Sequence, residues 1–226
     1  MSERYLDLRD KVRVIDFLAE HLDYASAKER STAEAWIHDY QEGEKTPTDK
    51  LAEAAKKFAA SIWPARFAVQ RYFMTEGAEE EWKKITSSVR PSTAHLLKRF
   101  RQGTGALSLD ETLQHAESDT ALKEGERFEI DEVRKHVRQD MWKTKKKVLA
   151  VFVKEGEELL KDTRDRFAAL RELAVVLPRS MQDEVFSKIE RYEDSMYFEG
   201  RVIPLDILDQ EVQYYREQGA VSPTDI

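Results

Sequence analysis

The chain has 226 residues, 36% of them charged and 41% hydrophobic, with a formal net charge of −7. It has no cysteine, which excludes a disulfide framework, thiolate metal sites and a cysteine nucleophile. No apolar run approaches the roughly 18 residues of a membrane-spanning helix, and the acidic start Met1-Ser-Glu-Arg-Tyr-Leu-Asp7 lacks the apolar core of a signal peptide, so a cytoplasmic protein is expected.

With 8 glycines, 6 prolines, no asparagine and no alternating apolar run, nothing reads as a strand or hairpin. The expected fold is all-α. Residues 5–24 read as a first helix, apolar through Leu8, Val12, Ile15, Leu18 and Leu22. A polar connection over 25–30 leads to Ser31-Thr-Ala-Glu34, a capping-box pattern in which hydroxyl and carboxylate satisfy each other's end of the helix. The helix it opens runs to Glu42, and Gly43 is placed to stop it in the left-handed conformation. Thr46 as N-cap and Pro47 at the first helical position open the next helix, apolar through Leu51, Ala55, Phe58, Ala59 and Ile62. Pro64 has no amide and crowds the preceding turn, so it is expected to kink or end that helix.

Gly77 precedes a helix with acids in its first turn and Trp82, Ile85 and Val89 on its buried side. Pro91 restarts a helix through Leu96, Leu97 and Phe100. Residues 101–106 read as a loop, and Ser108-Leu-Asp-Glu111 as a second capping box. The dominant stretch is 129–173, with apolar residues three and four apart: Ile130, Val133, Val137, Met141, Val148, Phe152, Leu159, Phe167 and Leu170. As one helix it would be roughly 67 Å long and would need covering by other helices, of this chain or of a second copy. Lys145 and Thr163 interrupt its stripe, and Gly156 offers a bend. Pro178 stops it. Ser180 is expected to cap a helix through Val185, Ile189, Tyr192 and Met196 that ends at Gly200. Pro204 starts a last helix through Leu208, Val212 and Tyr215, closed by Gly219. The whole reads as a helical bundle around one long helix, with an N-terminal cluster of shorter helices over 1–75 and a C-terminal bundle over 76–226.

Charge is unevenly spread. From Lys83 to Leu109 there are six bases and no acid: Lys83, Lys84, Arg90, Lys98, Arg99 and Arg101. Arg134 to Lys147 holds seven bases, among them Arg134, Arg138, Lys143, Lys146 and Lys147, against Asp140 alone. Residues 110–132 carry nine acids against two bases, and 183–226 eleven against four. Basic helices packed beside acidic ones explain this most simply; exposed basic patches, able to hold phosphate backbone or an acidic protein, are the second explanation.

The most specific local pattern is Ile37-His-Asp-Tyr40-Gln-Glu-Gly43-Glu-Lys-Thr-Pro47, followed by Leu51 and Ala55. It resembles the end of the recognition helix and the following turn in the phage Cro/repressor-type helix-turn-helix family. The resemblance implies that Trp36, Ile37 and Tyr40 face inward and that Ser31, Thr32, Ala35 and Lys45 face DNA, the reading helix lying in the major groove. It covers about twenty residues. The gap from the preceding apolar helix is longer than that family's turn, and the reading helix carries Glu34 and Asp39 in place of the Arg, Asn or Gln that reads base edges. A capped helix, a glycine stop and a proline start explain the same pattern without DNA.

No catalytic constellation emerges. No histidine has glutamate three residues before it, and no His-Glu-x-x-His occurs, so the carboxylate–histidine site of a di-metal bundle is not expected. Glu34/His38, Glu111/His115 and Glu132/His136 have the spacing of surface ion pairs. Gly103-Thr-Gly105 lacks the lysine of a phosphate loop. No catalytic residue, metal or cofactor is expected. The leading expectation is a non-enzymatic interaction or scaffold protein that forms a homodimer. A DNA-binding regulator and a helical-bundle enzyme with an unrecognised site are the alternatives.

Overall fold

The structure, a computed structural model, describes residues 10–43, 47–73, 78–103, 124–133 and 146–220. It is an all-α helical bundle, and no strand occurs among the described residues. The helices are α1 (Lys11–Glu20), α2 (Ala27–Gln41), α3 (Thr48–Phe73), α4 (Ala78–Ser88), α5 (Pro91–Gly103), α6 (residues 124–133), α7 (Lys146–Val176), α8 (Arg179–Tyr197) and α9 (Leu205–Ala220). The second capping box, at Ser108, lies outside the described residues.

Two compact units divide the chain otherwise than a break near 75–79 would. One comprises residues 1–63 and 156–226, the other 64–155. The chain crosses between them inside α3 at Pro64 and inside α7 at Gly156. These are the two residues the sequence marks as weak points of their helices. Pro64 does not end α3, which continues to Phe73.

In the first unit α1 is capped by the Asp10 carboxylate, which accepts from the Val12 amide at 3.0 Å. Its buried face is Val14, Ile15, Phe17 and Leu18, while Val12 is 51% exposed. Val12 lies two residues from Val14, about 200° around the helix, so it points outward. His21, after α1, stacks on Phe17 at 4.4 Å and donates from Nδ1 to the Phe17 carbonyl at 2.8 Å. Phe17 meets Phe198 edge to face at 5.2 Å, so α1 packs against the end of α8.

The start of α2 falls five residues before the expected Ser31. Ser26 is its N-cap, and the complete capping box is Ser26 with Glu29. Ser26-x-x-Glu29 and Ser31-x-x-Glu34 have the same pattern, nothing between them breaks a helix, and the first to occur becomes the terminus. Gly43 stops α2 at φ +76°, as expected. Pro47 stands one place outside its expected position: its carbonyl accepts the first helical bond, from Leu51, and α3 begins at Thr48. A side chain at Gly43 would touch nothing within 4 Å. Gly43→Ala therefore isolates backbone strain, and it is expected to cost about 1–2 kcal/mol, with Gly43→Asn costing less. Urea unfolding of the two variants checks the order.

The long element is described as two pieces. Residues 124–133 are helical, α7 runs from Lys146 to Val176, and 134–145 lie outside the described residues. The buried positions of α7 in the first unit are Gly156, Leu160, Thr163, Phe167, Leu170 and Ala174, continued by Leu177 just beyond its end. Their steps alternate three and four, the spacing of a coiled-coil seam. Thr163 belongs to this seam: it is 1% exposed, and its hydroxyl turns back to the Leu159 carbonyl at 2.8 Å.

The seam is covered within the chain. Phe167 stacks with Tyr192 of α8, and Arg171 pairs with Glu193. Arg164 of α7 donates to the Tyr197 hydroxyl at 3.2 Å while Arg171, seven residues on, meets Glu193, so rising residue numbers on α7 meet falling numbers on α8 and the two are antiparallel. Pro178 is the N-cap of α8, where Ser180 had been expected; α8 ends near Gly200, at φ +74°. Along α9, Asp209 pairs with Arg166, and a Cβ at Gly219 would lie 3.9 Å from Val176. Both pairs are 43 positions apart, so α9 runs parallel to α7. Gly219 does not close α9, which continues to Ala220.

Candidate interaction surface

The sequence proposes two surfaces, and the structure treats them differently. On α2, Ser31, Thr32 and Ala35 are exposed, while Lys45 lies outside the described residues. Ser31 is in the second turn of the helix, not at its leading end. The Thr32 hydroxyl is turned back to the Lys28 carbonyl at 3.0 Å. Ala33 is the buried residue of the helix. Trp36 and Ile37 are half-buried, and Tyr40, expected inside, is 37% exposed. Arg30 is committed to the preceding turn, donating to the Leu22 carbonyl at 3.0 and 3.2 Å and to Asp23 at 2.9 Å. The α2 surface thus offers Lys28 against Glu34, Asp39 and Glu42, a poor electrostatic match to phosphate.

The acid-free stretch forms a helical hairpin in the second unit. Ser88 ends α4, and Pro91, with its fixed φ, opens α5. Trp82, Ile85, Thr93 and Leu97 face inward. The hydroxyls of Thr86, Ser87 and Ser88 turn back to the carbonyls of Trp82, Lys84 and Ile85. Glu129 of α6 accepts from the Thr93 hydroxyl at 2.7 Å and pairs with Arg90 Nε at 2.7 Å, so one base of the hairpin is neutralised from within. The others differ. Lys83, Lys84, Lys98 and Arg99 are exposed, and Lys83 and Lys98 make no ion pair with the described residues. Both explanations of the charge pattern therefore apply, each to different residues.

The remaining predicted bases are not brought to this surface by anything described. Arg101 ends in α5, and Lys146 and Lys147 open α7, but their side chains lie outside the described set, as do Arg134, Arg138 and Lys143 entirely. The same holds for Gly105, His115 and His136. His38 is surface-exposed and 3.9 Å from Asp39.

Two clusters escape the sequence. Glu193 on α8 receives Lys56 of α3 at 2.8 Å and Arg171 of α7 at 2.6 Å. Burial pushes its carboxyl up, but the two hydrogen bonds and the two positive charges outweigh burial and hold it below the ordinary glutamate value. Between α8 and α9, Lys188 pairs with Glu211 at 2.8 Å and lies over the Tyr215 ring, and the Tyr215 hydroxyl donates to Glu184 at 2.9 Å. Burial lowers the Lys188 ammonium, and its hydrogen bonds to Glu211 and Tyr215 raise it further than that, so it is charged at any ordinary pH. Every base here has an acid beside it, which is the arrangement of a structural clamp.

Among the described residues no group of three or more histidine, aspartate or glutamate side chains could hold a metal ion, and no helix is long and apolar enough to cross a membrane. Comparison with family models, curated proteins and solved structures finds no match.

Proposed function

We propose that the chain is a non-enzymatic helical interaction protein of a reducing compartment such as the cytoplasm, and that it holds an acidic partner on the α4–α5 hairpin. One observation carries this reading. The hairpin exposes Lys83, Lys84, Lys98 and Arg99 with no acid in the sequence from Lys83 to Leu109, and Lys83 and Lys98 are not spent on ion pairs with the described residues. Rigid helices holding several like charges create a local potential that attracts the opposite sign, even on a chain of net charge −7.

The test is fluorescence anisotropy of a labelled polyglutamate peptide at about 50 and about 200 mM salt. Binding that weakens with salt, and that Lys83→Glu with Lys98→Glu weakens at least about tenfold, is expected. No binding at the lower salt overturns the reading. A second reading, sequence-specific DNA binding through α2, draws support from the exposure of Ser31, Thr32 and Ala35. Labelled duplex DNA under the same conditions separates the two. Sequence-selective binding that Thr32→Glu abolishes would put the DNA reading in first place.

A further inference from the structure

We infer that the acidic partner is a second copy of this chain, and that the α4–α5 hairpin of one copy docks on the outer face of α9 of the other. This rests on the interaction reading above.

The complementary surface is built on α9 by elimination of its other faces. Leu208 and Tyr215 point into the bundle and are fully buried. Asp209 is turned to α7 through Arg166, and Glu211 to α8 through Lys188. At 100° per residue, Asp206, Gln210, Gln213 and Glu217 then stand on the side opposite the core, and all four are exposed. Ile207 and Tyr214, one heptad apart, flank this row at 41% and 49% exposure. Among the described residues Asp206 makes no ion pair, and Glu217 accepts only a neutral amide, from Gln213 at 2.7 Å.

A row of acids and amides beside an aromatic and an aliphatic anchor has the composition of a protein interface. Lysine suits it doubly: the ammonium reaches the acids while its methylene stem covers Ile207 and the Tyr214 ring. The chain supplies that surface itself. Its residues 83–109 carry six bases and no acid, and its residues 183–226 carry eleven acids against four bases, so each copy brings both partners of the contact at equal concentration. Nucleic acid would meet the same lysines but also the repulsion of a molecule of net charge −7.

Sedimentation velocity at micromolar protein and about 50 mM salt tests the contact with two variants. One reverses the hairpin, Lys83→Glu with Lys98→Glu. The other reverses α9, Asp206→Lys with Glu217→Lys. All four positions are exposed on helices, and circular dichroism confirms that helicity is kept. The wild type is expected to dimerise, and each variant to raise the dissociation constant at least about tenfold. An equimolar mixture of the two variants is expected to associate as the wild type does, because each reversed face then meets its new opposite. A wild-type dimer indifferent to both reversals, or a mixture that stays monomeric, overturns the inference. A monomeric wild type that still binds polyglutamate through Lys83 and Lys98 also overturns it, while leaving the interaction reading in place. Loss of polyglutamate binding would strike that reading itself.

Discussion

Phe167→Ala is expected to destabilise the first unit by about 3–5 kcal/mol, the usual cost of emptying a large buried aromatic site. Phe167 is fully buried midway along the α7 seam, and its ring stacks on Tyr192 of the antiparallel α8 at a centroid distance of 6.4 Å. The seam residues on either side, Thr163 and Leu170, belong to the same helix and cannot both move in to fill the gap. The cavity therefore persists, and persistent cavity volume is what raises the cost. Phe167→Leu, which keeps most of the volume, should cost far less. Val175→Ala supplies the contrast: Val175 is on the same helix but 71% exposed, so its loss should stay within about 0.5 kcal/mol. Urea unfolding followed by circular dichroism reads all three. A Phe167→Ala variant within about 1 kcal/mol of the wild type would mean that the seam is not packed by these side chains.

That seam was only partly legible in the sequence, for a reason of phase. Helical spacing identifies the class of element reliably, because steps of three and four are shared by every stripe on a helix. It does not choose between adjacent stripes. Leu159 and Leu160 are both leucine, and only packing decides that Leu160 is buried at 6% exposure while Leu159 is half-buried. Thr163 reads as a fault in the stripe because its hydroxyl looks expensive to bury. The bond back to Leu159 removes that cost. Val12 fails in the same way on α1. The stops were more legible: Gly43 and Gly200 both adopt positive φ, which only glycine does without strain. The start of α2 was not, since two identical capping patterns lie five residues apart and the chain uses the earlier one.

The surface was legible where charge is local and illegible where it is paired at a distance. The acid-free run from Lys83 to Leu109 is visible in the sequence, and hairpin geometry exposes five of its bases, Arg90 among them. Which of them is neutralised was not visible, because Glu129 stands 39 positions from Arg90. Of the two expected covers for the long helix, other helices of this chain or of a second copy, the first applies over the first unit, where α8 and α9 cover α7 within one chain. Complementary charge, and not an uncovered stripe, is then what would favour a second copy.

Distance in sequence hides Glu193 most completely, since Lys56 is 137 positions away. Glu193→Gln is expected to cost about 1.5–3 kcal/mol at about pH 7, the range for hydrogen bonds to charged groups. Glutamine keeps the shape but not the charge, and Lys56 and Arg171 lose the acid that both share. Lys56 and Arg171 are 36% and 44% exposed and can turn to water, which keeps the cost below that of a fully buried pair. The pH dependence follows from the direction of the shift. The folded carboxyl lies below its ordinary value of 4.5, so its stabilisation is fully present above about that pH and fades as pH falls through the folded value. Asp194 next to it acts in the opposite sense. Burial, with the charges of Glu190, Glu193 and Glu199 adding to it and Lys56 opposing, raises its carboxyl above the ordinary value. Protonation therefore relieves Asp194 but costs Glu193 its stabilising charge. The gap between wild type and Glu193→Gln should be widest near neutral pH and narrow as pH falls through the folded carboxyl's value, which lies below the ordinary 4.5. Thermal unfolding of both proteins across that range decides the matter: a gap of constant size would show that Glu193 acts through packing and not through its charge.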